Sequence, residues 1–224
     1  MKQNGYVKAV KAAFPYTIPV LTGYLFIGIA FGVMYQEKGY NFLWAILMSI
    51  LVYAGSGQYL AVNFFAPGVS FLQIIFLEFM VNIRHVFYGL SLIEKFRDMG
   101  KKKLYMIFSL TDETYSLLCG VSAPQGIDPD WFLFFISLLD QLYWIIGSCI
   151  GAAAGSFLAF DSTGIDFAMT ALFVVICVDQ WKAAKSHIPA LMGFGCGIVF
   201  LALIRSSNFI LPALGTVSLL LLLF

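Results

Sequence analysis

Residues 131–159 read WFLFFISLLDQLYWIIGSCIGAAAGSFLA. The run is longer than the roughly 20 apolar residues a helix needs to cross a bilayer core, and its one ionisable residue is Asp140. Asp140, Trp144, Gly147, Gly151 and Gly155 recur at helical spacing and mark one stripe. Small residues spaced by four let membrane helices approach closely, so the three glycines are read as packing positions and Asp140 as facing protein. A soluble domain carries about 25% charged residues; this 224-residue chain carries 11%, with 61% hydrophobic.

Outward from this run lie the apolar segments Thr17–Tyr35, Phe42–Phe64, Val69–Ile93, Leu104–Val121, Asp166–Trp181, Pro189–Ile204 and Phe209–Phe224. They predict an all-α polytopic transmembrane bundle of about seven spans (six to eight), forming one transporter domain over 1–224 with 1–14 as a cytoplasmic N-terminal segment. Lys2, Lys8 and Lys11 precede a first apolar run too long for a signal peptide, which is read as a span. Gly28 and Gly32 in that span add a second close-packing pair.

Composition excludes several function classes. A net charge of +1 offers no field for nucleic acid. Cys119, Cys149, Cys177 and Cys196 have neither metal nor disulfide spacing. No phosphate-binding GxxxxGK[ST] loop is present, so the chain itself is not expected to hydrolyse nucleotide; no metal and no cofactor is expected.

Charge along the chain poses a problem. Glu94–Lys103 (EKFRDMGKKK) and Lys182–His187 (KAAKSH) are basic and, like the N-terminus, belong on the cytoplasmic side. Ser122–Asp130 has two aspartates and no Lys or Arg, and is expected outside. Three full crossings between the N-terminus and Glu94 would put that basic loop on the wrong side. Either one basic segment breaks the rule, or each half of the chain holds a segment that does not cross completely. Candidate interruptions are Gly55-Ser56-Gly57 in the second segment and Asp140-Gln141 in the fifth, giving discontinuous helices in two related halves.

Charged residues inside a membrane cost about 2.5–3.5 kcal/mol each on insertion scales and mark functional sites. In the third segment Glu78, Asn82 and His85 share a helical face, while Arg84 points elsewhere and needs another neighbour. In the fourth, Asp112 and Glu113 diverge by about 100°; one is expected to pair with Arg84 and the other to line a water-filled cavity. The Gly55-Ser56-Gly57-Gln58 break frees backbone groups suited to the two charged ends of a zwitterion. Substrate binding is therefore assigned to Gly55, Ser56, Gly57, Gln58, Asn82, Arg84, Asp140 and Gln141, and proton coupling to Glu78, His85, Asp112 and Glu113. The bland alternatives are a simple kink at the glycines, snorkelling of Arg84 and His85, and a short interfacial helix for the fourth segment.

LVYAGSGQYLAV (51–62), VNIRHVFYGLSL (81–92) and SLTDETYSLL (109–118), in this order after a Gly-rich first span, resemble the AzlC type of branched-chain amino acid exporter. The resemblance runs from about Ala13 to Ile204, with Asn82-x-Arg84-His85 its most specific block. It implies a secondary exporter of leucine, isoleucine and valine in a bacterial inner membrane, together with a small AzlD-type membrane subunit. Proton coupling is the expectation that the intramembrane acids add. Two other classes are weighed against it. One is a passive channel or scaffold subunit, which would show no counterflow. The other is an intramembrane hydrolase built on Ser56 and His85, for which no catalytic framework is present.

Overall fold

The computed structural model describes residues 2–64, 70–157, 184–205 and 209–222, with scattered positions between 167 and 182. The predicted segment Asp166–Trp181 lies largely outside the described residues. Ten helices follow in order: α1 Lys2–Glu37, α2 Phe42–Leu51, α3 Gly55–Phe64, α4 Phe71–Asn82, α5 Arg84–Ser91, α6 Lys102–Phe108, α7 Asp112–Gly120, α8 Pro129–Phe157, α9 Ile188–Ile204 and α10 Ile210–Leu222. No strand occurs among the described residues.

Among the described residues three stretches are long and apolar enough to cross a membrane: Gly5–Glu37, Phe71–Ser91 and Pro129–Ser156. The first and third form the frame. α1 and α8 run parallel, and the glycines read from the sequence interlock along them. A Cβ on Gly28 would lie 3.1 Å from the Ser148 nitrogen, on Gly32 2.3 Å from the Ser148 carbonyl oxygen, on Gly151 2.0 Å from the Ile29 carbonyl oxygen, and on Gly155 3.1 Å from Gln36. The backbones touch where side chains would normally stand, the contact that drives helix association in a solvent as apolar as the helices themselves.

The second apolar segment does not cross. α2 descends from the end where α1 finishes, stops at Val52–Ala54, and α3 turns back. Ser49 and Gln58 show this: their side chains bond at 3.3 Å, although nine residues of continuous helix would separate them by about 13 Å. Tyr59, further along α3, has climbed again to donate to the Ile27 carbonyl at 2.5 Å and to pack on Phe31. The reversal passes through Tyr53, at φ 42° in the left-handed region, an uncommon place for a residue with a side chain. The break therefore lies just before Gly55-Ser56-Gly57, and those residues form the first turn of α3.

The fourth segment behaves likewise from the opposite face. Lys102, at the start of α6, pairs with Asp130 at 3.1 Å and sits over the Trp131 ring, beside the start of α8. Tyr105 packs on Phe134 and donates to Gln141 at 2.7 Å, so α6 climbs along α8. The chain turns at Ser109–Thr111. α7 then descends, from Thr114 beside Asp140 to Leu118 in one apolar cluster with Phe132, Leu133 and Ile136. Lys95 donates to the carbonyls of Leu118 and Val121 at the foot of α7, a cation at a helix C-terminus.

These two hairpins account for the first basic loop. One complete crossing, α1, precedes the first hairpin, and α4–α5 makes the return crossing, so the N-terminus and Glu94–Lys103 share a face. Two expectations are corrected. Asp140-Gln141 does not interrupt its segment: α8 is continuous from Pro129 to Phe157, because its polar pair is satisfied sideways by the hairpin tips. Ser122–Asp130 does not face away from the basic loop but lies beside it, held by the Lys102–Asp130 pair. Each related half is thus one crossing followed by one hairpin, in opposite senses, with α3 and α7 starting 57 residues apart (Gly55 and Asp112). Beyond α8, α9 and α10 pack together and α10 touches α4.

Two measurements check this arrangement. In a cysteine-free background, single cysteines at Lys8, Lys101 and Asp128 should label from one side of the membrane and one at Lys38 from the other. Gly151→Leu should lower the stability of the purified protein by about 1–3 kcal/mol or prevent its accumulation, read as the melting temperature in detergent, whereas Gly193→Ala, with nothing within 4 Å of the added carbon, should leave it unchanged.

Candidate functional site

The hairpin tips meet at the level of Tyr24 and Trp144. Between them lies a cleft lined by Tyr24, Ile27, Tyr53, Gly55, Ser56 and Arg84, and by His85, Thr111, Asp112, Glu113 and Trp144. Two half-helices begin here, α3 with Gly55-Ser56-Gly57 and α7 with Asp112-Glu113. First-turn N–H groups have no partner within their own helix, and they carry the positive end of each helix dipole. Thr111 caps α7 by accepting from the Thr114 N–H at 3.2 Å.

Arg84 is the cation of the cleft. Its guanidinium lies 3.0 Å from Asp112 Oδ2 and donates to Ser56 Oγ at 2.8 Å, so one residue of the second crossing ties both hairpin tips together. Tyr88 donates to the other Asp112 oxygen at 2.5 Å and stacks on Tyr115 with ring centroids 4.2 Å apart. Glu113 points the other way, its Oε2 2.8 Å from the Tyr24 hydroxyl. Asp112 is thus the acid that pairs with Arg84, and both Asp112 and Glu113 line the cleft. His85 Nδ1 lies 3.0 Å from the Asn82 carbonyl. A carbonyl only accepts, so Nδ1 carries the proton and Nε2 is left for the cleft.

The remaining expected residues stand behind this lining. Glu78 and Asn82 bond each other at 2.8 Å and rest against Gly57, where a Cβ would lie 2.7 Å from the Glu78 carboxylate. Gln58 accepts from the Trp144 indole at 2.9 Å and donates to Ser49. That fixes the indole over Gly55, where a Cβ would be 3.3 Å from the ring. Gln141 donates to the Ile50 carbonyl at 3.2 Å, serving the open end of α2. Asp140 is fully buried and accepts from Thr114 at 2.8 Å. Gly57, Gln58, Asn82, Asp140, Gln141 and Glu78 thus hold the cleft walls without lining them; Gly55, Ser56, Arg84, His85, Asp112 and Glu113 line it.

Sequence reasoning missed Tyr24, Tyr53, Thr111 and Trp144. Thr111 had a readable signal: Thr followed by two acids is a helix-start pattern, and it marks the second break. Ser56 and His85 do not form a nucleophile–base pair, since Ser56 Oγ is held by Arg84 and His85 Nδ1 by a carbonyl. The cavity itself is about 30 Å³, room for a water or two.

The sequence pattern of one protein family, described as AzlC protein, matches residues 19–158, the stretch that holds both hairpins and most of the frame. The chain belongs to the AzlC family. It is 44% identical over 213 residues to the branched-chain amino acid transport protein AzlC of Bacillus subtilis (strain 168), covering 95% of this chain and 84% of that one. An uncharacterized membrane protein of Haemophilus influenzae is 39% identical over 212 residues, covering 94% and 87%. The inner membrane protein YgaZ of Escherichia coli (strain K12) is 25% identical over 197 residues, covering 84% and 80%. No solved structure matches. This AzlC-family chain is a membrane transport protein and not an enzyme.

Arg84 and Asp112 side chains are 23% and 24% exposed, so their pair is only partly desolvated. Arg84→Ala should destabilise the AzlC-family protein by about 1–3 kcal/mol, less than the loss for a fully buried pair. Asp112→Ala added to it should recover part of that loss. Both are read from thermal unfolding of the purified protein.

Proposed function

We propose that this chain is a secondary exporter of branched-chain amino acids, set in a bacterial inner membrane with its N-terminus and Glu94–Lys103 in the cytoplasm. It works with a small AzlD-type membrane subunit and is driven by the proton gradient. The observation that carries this reading is the meeting of two half-helix N-termini with Arg84, Asp112 and Glu113 in one cleft between opposed hairpins. The substrate carboxylate goes to the first-turn N–H groups of α3 and to Arg84. Its ammonium goes to Glu113, and its aliphatic side chain lies along Ile27 and Trp144. The name of the Bacillus relative supports the substrate class, and the basic face supports the orientation.

Alternating access follows from the hairpins. Each plugs the cleft from one face, so parting one tip from the other opens a single side. Binding of the carboxylate takes Arg84 from Asp112 and loosens the tie between the tips.

Counterflow tests the reading. In vesicles carrying the full chain and its partner subunit, leucine, isoleucine or valine loaded inside should accelerate entry of labelled leucine several-fold. Arg84→Ala should abolish the acceleration. Labelled leucine that equilibrates at one rate whatever is loaded opposite would instead identify a passive channel.

A further inference from the structure

Behind the cleft a continuous line of oxygen atoms joins two acids. Glu113 Oε2 lies 2.8 Å from the Tyr24 hydroxyl, which lies 2.6 Å from Thr111 Oγ1. Thr111 Oγ1 donates to Thr114 Oγ1 at 3.0 Å, and Thr114 Oγ1 donates to Asp140 Oδ2 at 2.8 Å. Every intermediate group is a hydroxyl, able to accept one proton and release another. Tyr24, Thr111, Thr114 and Asp140 are all buried. Asp140 Oδ1 has no hydrogen-bond partner, and among the described residues no cation forms a salt bridge with Asp140.

The two ends differ in access. Glu113 lines the cleft. Asp140 lies beyond it, one helical turn from Ile136, which belongs to an apolar cluster with Leu110, Met106, Leu118 and Phe132. A lone buried charge is costly, so a proton arriving on Asp140 changes the energy of the packing around it.

We propose that Glu113 and Asp140 are the two ends of a proton relay through Tyr24, Thr111 and Thr114, and that the relay sets whether Glu113 can hold a substrate ammonium. The step balances without a co-reactant. The Glu113 carboxyl gives its proton to the Tyr24 oxygen, as Tyr24 passes its own to Thr111, Thr111 to Thr114, and Thr114 to Asp140. Four O–H bonds break and four form. Glu113 ends as a carboxylate and Asp140 as a neutral acid, leaving the hydroxyls unchanged. The reverse sequence releases the ammonium. Groups facing Asp140 are Tyr24 from α1, Tyr53 from the first break, Tyr105 from α6, Glu113 from α7 and Tyr143 on its own helix. Around Glu113 stand Tyr24, Asp112 and Arg84.

The proposal rests on the transport reading, and the test separates the two. Vesicles carrying the full chain and its partner subunit are assayed for leucine counterflow at equal pH, for leucine accumulation under an imposed pH gradient, and for leucine-evoked proton movement with an internal pH dye. Thr114→Val removes the central hydroxyl at nearly constant volume. With the relay cut, Glu113 stays a carboxylate at the cleft and still takes the ammonium but cannot pass a proton to Asp140. Counterflow should therefore stay within about twofold while gradient-driven accumulation falls by at least about tenfold and the dye is silent. Asp140→Asn should do the same, and Thr114→Ser should restore both. Accumulation at the wild-type level in Thr114→Val or Asp140→Asn overturns the relay. So does loss of counterflow in a folded, monodisperse Thr114→Val protein, which would assign Thr114 to the binding site. Absence of counterflow in the unaltered protein is the failure of the transport reading instead.

Discussion

Backbone groups released inside a membrane must find partners within the protein, and this chain releases them twice, at 52–54 and at 109–111. The rest of the structure is arranged around that need. Gln141 serves the Ile50 carbonyl, Thr111 serves the Thr114 N–H, and Gln58 locks Trp144 against the first turn of α3. All three partners are polar residues in otherwise apolar surroundings. Each would look like a ligand-binding residue if judged by its presence in a span alone.

That is where sequence and structure part. The membrane class and the glycine stripes were legible, because they depend on composition and on short-range helical spacing. Arg84 was read as needing an acid from the fourth segment, but spacing alone did not say whether Asp112 or Glu113. The first break was legible as a glycine cluster but misplaced by a few residues: the reversal is made by Tyr53, a residue type that carries no signal for the left-handed backbone it adopts. The second break holds neither glycine nor proline, and only the Thr111-Asp112-Glu113 helix start betrays it. Asp140-Gln141 misled because a polar pair satisfied by neighbours in space is indistinguishable, in one dimension, from a pair at an interrupted helix. The charge-counting contradiction was the most informative sequence signal, since it left only a basic segment that breaks the rule or incomplete crossings, and the hairpins decide for the second at the first basic loop.

The halves are tied crosswise. Tyr24 belongs to the first crossing and holds Glu113 at the second hairpin's tip; Arg84 belongs to the second crossing and holds Ser56 at the first hairpin's tip. Ser56 and Glu113 are themselves 57 residues apart, the same offset that relates the two breaks. Equivalent positions thus carry opposite chemistry: a hydroxyl beside a cation on one side, a carboxylate beside a phenol on the other. A cleft with one positive and one negative wall results from a nearly symmetric frame, which suits a solute with two charged ends.

The dependence of both hairpins on α8 also orders the making of the molecule. α2 and α3 leave the ribosome long before Gln141 and Trp144 exist, and α6 and α7 before Asp140. None of these four helices is long enough to count as a span in its own right. Until residues 129–157 are inserted, each hairpin lacks a polar partner that its broken end requires. The last long helix of the described frame is therefore the one that completes the four hairpin helices α2, α3, α6 and α7, and a chain stopped before it would hold two unfinished wedges at the membrane.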